Sequence, residues 1–314
     1  MKLLFKFIIL FLFVFLMYEL LLYPSIMMNG IHSSLVLWST KVVPSLLPFF
    51  LLSNFLMNYG LTSILSELFK PIMKLFKTNP NNAFIFVISI FTGSPSNAFF
   101  AKEAISNNLI SDDDATKVLL FSHFSSPLFI LGTVYSSLNN KFVCVLILIV
   151  TYLTNIILAL LFRNRYISND YSKISISNIK KNLNNKISFG KILATSIHKT
   201  FDTLLIILGS ICFFNMISIS IDQVFNLNDN LYAFLSGILE MTQGISNVCL
   251  LNIPLNIKAL FISIFLSFGG FSIHSQILSI ISDTKIKYLP YFLARLIHAV
   301  ISGTMVFILV SLIS

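Results

Sequence analysis

Long apolar runs broken by short polar clusters set the pattern of this chain. A stretch of about 20 apolar residues is long enough to cross a hydrocarbon core of about 30 Å. Residues 3–22, 35–57, 118–138, 142–162, 203–221, 259–281 and 289–313 meet that length and predict spanning helices. Two more stretches, 83–107 and 231–251, are long enough overall but carry polar interruptions at their centres. Ahead of the first of these, residues 62–77 place Leu65, Leu68, Ile72, Leu75 and Phe76 at helical spacing, the mark of an amphipathic helix at a membrane interface.

The first interruption reads Gly93-Ser94-Pro95-Ser96-Asn97. Proline inside a helix removes a hydrogen bond and clashes with the preceding turn, and glycine weakens the helix further. The arms on either side are about 11 residues each, roughly 16 Å at helical rise, half a bilayer. Charge then decides how the stretch lies. The segment 163–199 holds eight Lys/Arg against the single acid Asp170, which predicts a cytoplasmic loop. All basic loops fall on that side only if 83–107 dips into the membrane and returns. The stretch 231–251 behaves the same way from the opposite side. Both are predicted to be re-entrant hairpins.

Each hairpin precedes a span that is itself broken: Ser125-Ser126-Pro127 in one half, Ser267 through Ser275 in the other. The tips align as Thr92–Asn97 over Thr242–Asn247. The expected architecture is an all-α polytopic membrane protein, with an inverted repeat of two re-entrant helical hairpins and two broken transmembrane helices. Its parts are N-terminal helices (1–58), a first repeat (59–162), a basic cytoplasmic loop (163–199) and a second repeat (200–314). Inverted repeats with discontinuous helices at mid-membrane are a common construction of secondary transporters.

Composition supports the class. Of 314 residues, 56% are hydrophobic and 11% charged, well under the quarter or so usual in soluble domains. The net charge of +9 sits in loops, so it reads as membrane orientation and not as a nucleic-acid surface. Lys2 and Lys6 flank the first run as in a signal peptide. Tyr18-Glu19 follows where a small-residue cleavage site would stand, so the run is expected to stay as a span. Cys144, Cys212 and Cys249 have no ligand spacing and read as buried thiols. No His-Glu-x-x-His, paired-Asp or Gly-x-Ser-x-Gly motif suggests an enzyme, and no cofactor or metal is implied.

Irregular backbone at mid-depth is tolerated where it is buried in protein or lines a cavity. A helix that restarts there aims N–H groups and a partial positive charge at the centre, which favours an anion. The candidate substrate-binding residues are Gly93, Ser94, Ser96 and Asn97 at the first tip and Ser125 and Ser126 at the first break. Glu240, Gln243, Ser246 and Asn247 belong to the second tip, Ser272 and Gln276 to the second broken span. His123, His274 and Lys102 are coupling candidates. For Glu240, a role in substrate binding or proton coupling stands beside a structural ion pair or a protonated core residue. Arg295 is expected to snorkel to the interface, with pairing to Glu240 as the sharper alternative. Asp112–Asp114 read as a solvated turn opening a helix.

At "VVPSLLPFFLLS" (42–53), "SSPLFILGTV" (125–134), "GILEMTQGISN" (237–247), "FGGFSIHSQILSI" (268–280) and "YLPYFLARLIHAVISG" (288–303), the chain resembles the YlbJ/SpoVV sporulation integral membrane family. That family belongs to the nucleoside-recognition Gate group, related to concentrative nucleoside transporters. The resemblance covers most of the chain from about residue 35 onward. It implies transport of a small anionic solute, dipicolinic acid, from the mother cell across the outer forespore membrane, and a homo-oligomer in the bilayer. A nucleoside-type transporter and a non-transport spore-envelope assembly protein are the alternatives. Where the family's first hairpin reads Gly-Tyr-Pro-x-Gly-Ala-Lys, this chain reads Gly93-Ser94-Pro95-Ser96-Asn97-Ala98-Phe99, and Lys102 is the nearest cation.

Overall fold

The computed structural model describes residues 2–59, 61–166 and 188–313. Every regular element among them is helical. Five helices are long and apolar enough to cross a membrane: Pro24–Met57, Lys141–Leu161, Phe189–Phe225, Leu255–Ile281 and Tyr288–Ser311. This is an integral membrane protein. Of the basic loop expected over 163–199, residues 167–187 lie outside the described residues, and 189–199 are not loop but the first turns of the helix Phe189–Phe225.

The N-terminal pair is α1 (Lys2–Leu22) and α2 (Pro24–Leu37), separated only by Tyr23. The sequence reading began the second span at residue 35; the helix starts eleven residues earlier, at Pro24, which suits a first helical turn. Gly30 and Ser34, which fall between the two predicted spans, are a buried helix–helix contact. Asn215 donates to the Gly30 carbonyl and to the Ser34 hydroxyl, both at 2.9 Å, and a Cβ on Gly30 would strike the Ile219 side chain at 2.1 Å. Small residues let helix backbones approach in this way. A π turn at Trp38–Val42 carries the chain into α3 (Val43–Asn58), which contains Pro48.

The expected interfacial helix is two short ones, α4 (Leu61–Leu68) and α5 (Lys70–Leu75). Pro71 has no N–H to continue the first, so the chain breaks at Phe69 and restarts. The first hairpin is α6 (Asn82–Thr92) and α7 (Ser96–Ser106). Then α8 (Asp112–Leu119) opens on a reciprocal cap: the Asp114 amide donates to the Ser111 hydroxyl (3.1 Å) and the Ser111 amide to the Asp114 carboxylate (3.2 Å). Asp114 is buried and also accepts from Asn79 at 3.1 Å, so the expected solvated turn holds for Asp112 and Asp113 only. The chain is non-helical from Ser122 to Ser126, then passes a π turn (Phe129–Val134) and α9 (Tyr135–Leu138) into α10 (Lys141–Leu161).

The second half runs α11 (Phe189–Phe225), the hairpin α12 (Asp229–Leu239) and α13 (Met241–Leu250), α14 (Leu255–Phe268), α15 (Gly270–Ile281) and α16 (Tyr288–Ser311). At 37 residues α11 is roughly 55 Å long, well beyond one hydrocarbon core. The order hairpin, interrupted helix, continuous helix thus occurs in both halves.

The halves interlock. One apolar core joins Phe84, Phe100 and Phe121 of the first half to Ile277, Tyr291 and Ala294 of the second. The other joins Ile130 and Ile147 to Ile245, Ile262 and Val306.

Candidate functional site

Each hairpin tip rests on the break of the interrupted helix that follows it. At the first, Gly93 takes φ +74°, a conformation L side chains rarely adopt. The Ser94 amide donates to the Phe124 carbonyl at 2.8 Å. The break itself is held from α10: Tyr152 donates to the carbonyls of Ile90 (2.9 Å) and Ser125 (3.0 Å), and Asn155 to that of His123 (2.7 Å). At the second, Gly270 (φ +66°) lies against Leu239, Met241 and Gly237, where a Cβ would come within 3.1 to 3.4 Å of backbone atoms. The arms of this hairpin are in backbone contact, since a Cβ on Gly244 would lie 2.0 Å from Gly237 Cα.

The two breaks also meet. A Cβ on Gly269 would stand 3.0 Å from the His123 ring. His123 is buried, and its Nδ1 is hydrogen-bonded to Ser94 Oγ (2.8 Å) and to Tyr291 OH of α16 (2.9 Å). One imidazole therefore connects the first tip, the first break and the last helix.

Between these parts lies a cavity of about 50 Å³. Gly93, Ser94 and Pro95 enter its wall from the first tip, and His123 to Ser126 from the first break. Glu240, Met241 and Thr242 come from the second tip, Ser272 and Gln276 from α15. Ser45 of α3 and the apolar Ile207 and Ile211 of α11 close it. A volume of this size admits one or a few waters. A planar aromatic ring needs more room than this.

The second tip differs from its sequence reading in register. The helix breaks at Glu240 and residues 241–250 are helical, so Thr242–Asn247 is the first two turns of α13 and not the turn itself. The counterpart of Gly93–Pro95 is Glu240. Its carboxylate caps α13, accepting from the Gln243 amide (2.8 Å) and the Thr242 hydroxyl (3.1 Å).

Of the residues singled out from the sequence, Gly93, Ser94, His123, Ser125, Ser126, Glu240, Ser272 and Gln276 share the cavity wall. The others lie outside it. Ser96 is buried against Thr92 and the Gly93 carbonyl. Asn97 lies behind the tip with its Nδ2 unpartnered. The Gln243 side chain turns toward Ser33 (3.4 Å), Ser246 bonds back to the Thr242 carbonyl, and Asn247 ties α13 to Ser236 of α12 at 3.0 Å. His274 bonds Tyr288 OH at 2.9 Å. Lys102 pairs with Asp283 at 2.8 Å on the surface and holds that carboxyl below its ordinary range.

Arg295 neither snorkels nor pairs with Glu240. It is fully buried, donates Nη2 to the Leu120 carbonyl (2.6 Å) and stacks 5.6 Å from the Tyr291 ring, with Nε and Nη1 unpartnered. Sequence reasoning missed Thr242, Tyr152, Asn155 and Tyr291. For Tyr152 and Asn155 the available signal was a polar run, Thr151 to Asn155, in the middle of an apolar span. No group of His, Cys, Asp or Glu among the described residues is placed to hold a metal ion.

Fold and site define a polytopic helical membrane protein whose interrupted elements border a cavity of mixed polar and apolar lining. Residues 39–142, from the π turn after α2 through the first hairpin and break to the start of α10, match the family model described as Gate, nucleoside recognition. Over 330 aligned positions the chain is 28% identical to the sporulation integral membrane protein YlbJ of Bacillus subtilis (strain 168), covering 95% of this chain and 81% of that one. The Gate segment expected from the sequence is thus found by the one comparison and the resemblance to YlbJ by the other. No solved structure matches the chain.

Proposed function

We propose that this protein is a transporter that carries a small anionic solute across a membrane of the sporulating cell, with dipicolinic acid as the substrate and the outer forespore membrane as the place. One observation carries the reading: two hairpin tips, the first helix break and the first turns of α15, far apart in sequence, converge on one cavity of mixed polar and apolar lining. Transport needs a site at mid-depth reachable from either side, and discontinuous helices are how many carriers build one. In this reading the hairpins are re-entrant, the two halves are inverted repeats, and the N-terminus and the 163–199 loop are cytoplasmic. The tips rock away from the breaks by turns.

The test is uptake of labelled dipicolinate by vesicles containing the purified chain. Alanine at Ser94, Ser126 or Gln276 is expected to abolish uptake at normal protein abundance. Uptake equal to that of empty vesicles in the unmodified protein overturns the reading.

One observation favours a second substrate. Among the described residues no Lys or Arg lines the cavity, and Glu240 does. A neutral, hydroxyl-rich solute suits such a wall, and the Gate match points to nucleosides. Adenosine or uridine uptake without dipicolinate uptake would select that alternative.

A further inference from the structure

The start of α13 is where a solute's carboxylate would dock if the cavity takes an anion, because a helix N-terminus presents unpaired amides there. That seat is taken. The Glu240 carboxylate fills it, bonded to the Gln243 amide and the Thr242 hydroxyl, and the side chain is only 2% exposed. The same wall holds Gln276, also 2% exposed, whose Oε1 is buried without a hydrogen-bond partner.

We propose that Glu240 is a built-in competitor for the carboxylate of the substrate, and that a proton on Glu240 frees the seat when the cavity loads. The inference rests on the transport reading above. Two ionised carboxylates cannot share one amide seat in a water-poor cavity, because like charges at contact distance repel strongly there. Among the described residues no Lys or Arg lines the cavity to absorb the second charge. His123 is the other titratable side chain they place in the wall; its Nδ1 is bonded to Ser94 and Tyr291, and its Nε2 is buried without a hydrogen-bond partner. From α12, against which the tip folds, Glu240 meets backbone: its amide donates to the Ser236 carbonyl at 2.6 Å. From α15, Ser272 and Gln276 line the same cavity, while His274 is bonded away to Tyr288. From α3 and α11, Ser45, Ile207 and Ile211 line it. Arg295 is outside the cavity, at the Leu120 carbonyl. The proton enters from the solution on the loading side, sits on a Glu240 carboxyl oxygen, and leaves on the far side after the solute does. One proton moves with each solute, and no bond of the solute changes.

The test uses pyridine-2,6-dicarboxylate as probe, with the full chain in lipid nanodiscs for binding and in vesicles for uptake. Glu240→Gln keeps the shape of the cap and cannot ionise. It is expected to bind the probe at least tenfold tighter than the unmodified protein at pH 8, with the gap closing by pH 5. In vesicles, an inward proton gradient should accelerate uptake by the unmodified protein and leave Glu240→Gln unaffected. Glu240→Asp, which ionises but reaches less far, should keep the gradient dependence and guards against a folding defect in the first variant. Equal or weaker binding by Glu240→Gln at pH 8, no binding by either, or gradient-driven uptake in the variant overturns the inference. Binding that follows the expected pH pattern without uptake overturns transport and leaves the competitor in place.

Discussion

A Cβ on Gly93 would stand 3.0 Å from the backbone nitrogen of Ser126, so the first hairpin tip lies directly on the first helix break. Gly93→Ala adds a methyl group at that contact and also forces alanine to φ +74°. Positive φ with ψ near 180° is essentially a glycine-only conformation and costs another residue about 1–3 kcal/mol, and the neighbour is backbone that cannot turn aside. The variant is expected to melt lower and to lose solute uptake, by thermal unfolding in detergent and vesicle assay.

Gly244 makes the corresponding point in the second hairpin. Its added Cβ would fall 2.0 Å from Gly237 Cα and 2.3 Å from Gly237 N. The arms must part, and overpacking of this kind costs about 1–3 kcal/mol, occasionally more. Gly244→Ala should therefore lower Tm more than Gly209→Ala, whose Cβ meets nothing within 4 Å. Equal melting points would show that the arms are not in contact.

Tyr152 holds the first hairpin and the first break with one hydroxyl. Tyr152→Phe leaves the carbonyls of Ile90 and Ser125 without that donor, at a cost of about 1–3 kcal/mol. Because the residue is outside the cavity wall, binding of dipicolinate should weaken less than stability falls. Parallel melting and binding measurements separate the two.

Lys117 gives a pH signature. It is buried, with its ammonium donating to the carbonyls of Lys77 and Arg163, and burial pushes its pKa from 10.5 down to about 8. Between those values the unfolded chain binds the proton and the folded chain has lost it, so stability rises with pH across that window. Lys117→Met removes the titration. The Tm of the unmodified protein relative to this variant should climb from pH 8 to pH 10 and stay flat from pH 6 to pH 7.

Lys102 separates the sequence reading from the structural one. As the coupling group it would be indispensable; as the partner of exposed Asp283 it is a surface ion pair. Such pairs contribute little and are screened by salt. Lys102→Met is expected to leave uptake and its pH dependence unchanged.

Apolar run length determined the helical membrane class, most of the spanning helices and the existence of both interrupted hairpins, because a bilayer imposes a fixed length and forbids unpaired backbone. Proline and glycine also placed the first break correctly, at Gly93–Pro95. What escaped was everything set by a partner. Gly30 and Ser34 fell between the two predicted spans because polarity alone cannot reveal that α11 packs on them. Residues 242–247 looked like a tip because the similarity to 92–97 was read in the wrong register; only the cap made by the Glu240 carboxylate fixes where α13 starts. Arg295 looked interfacial because a sequence gives no depth, and the fold buries it against Leu120 and Tyr291. Which of the chosen residues share one cavity was decided by the meeting of the two breaks at His123 and Gly269, a contact between residues nearly 150 positions apart that no local pattern encodes.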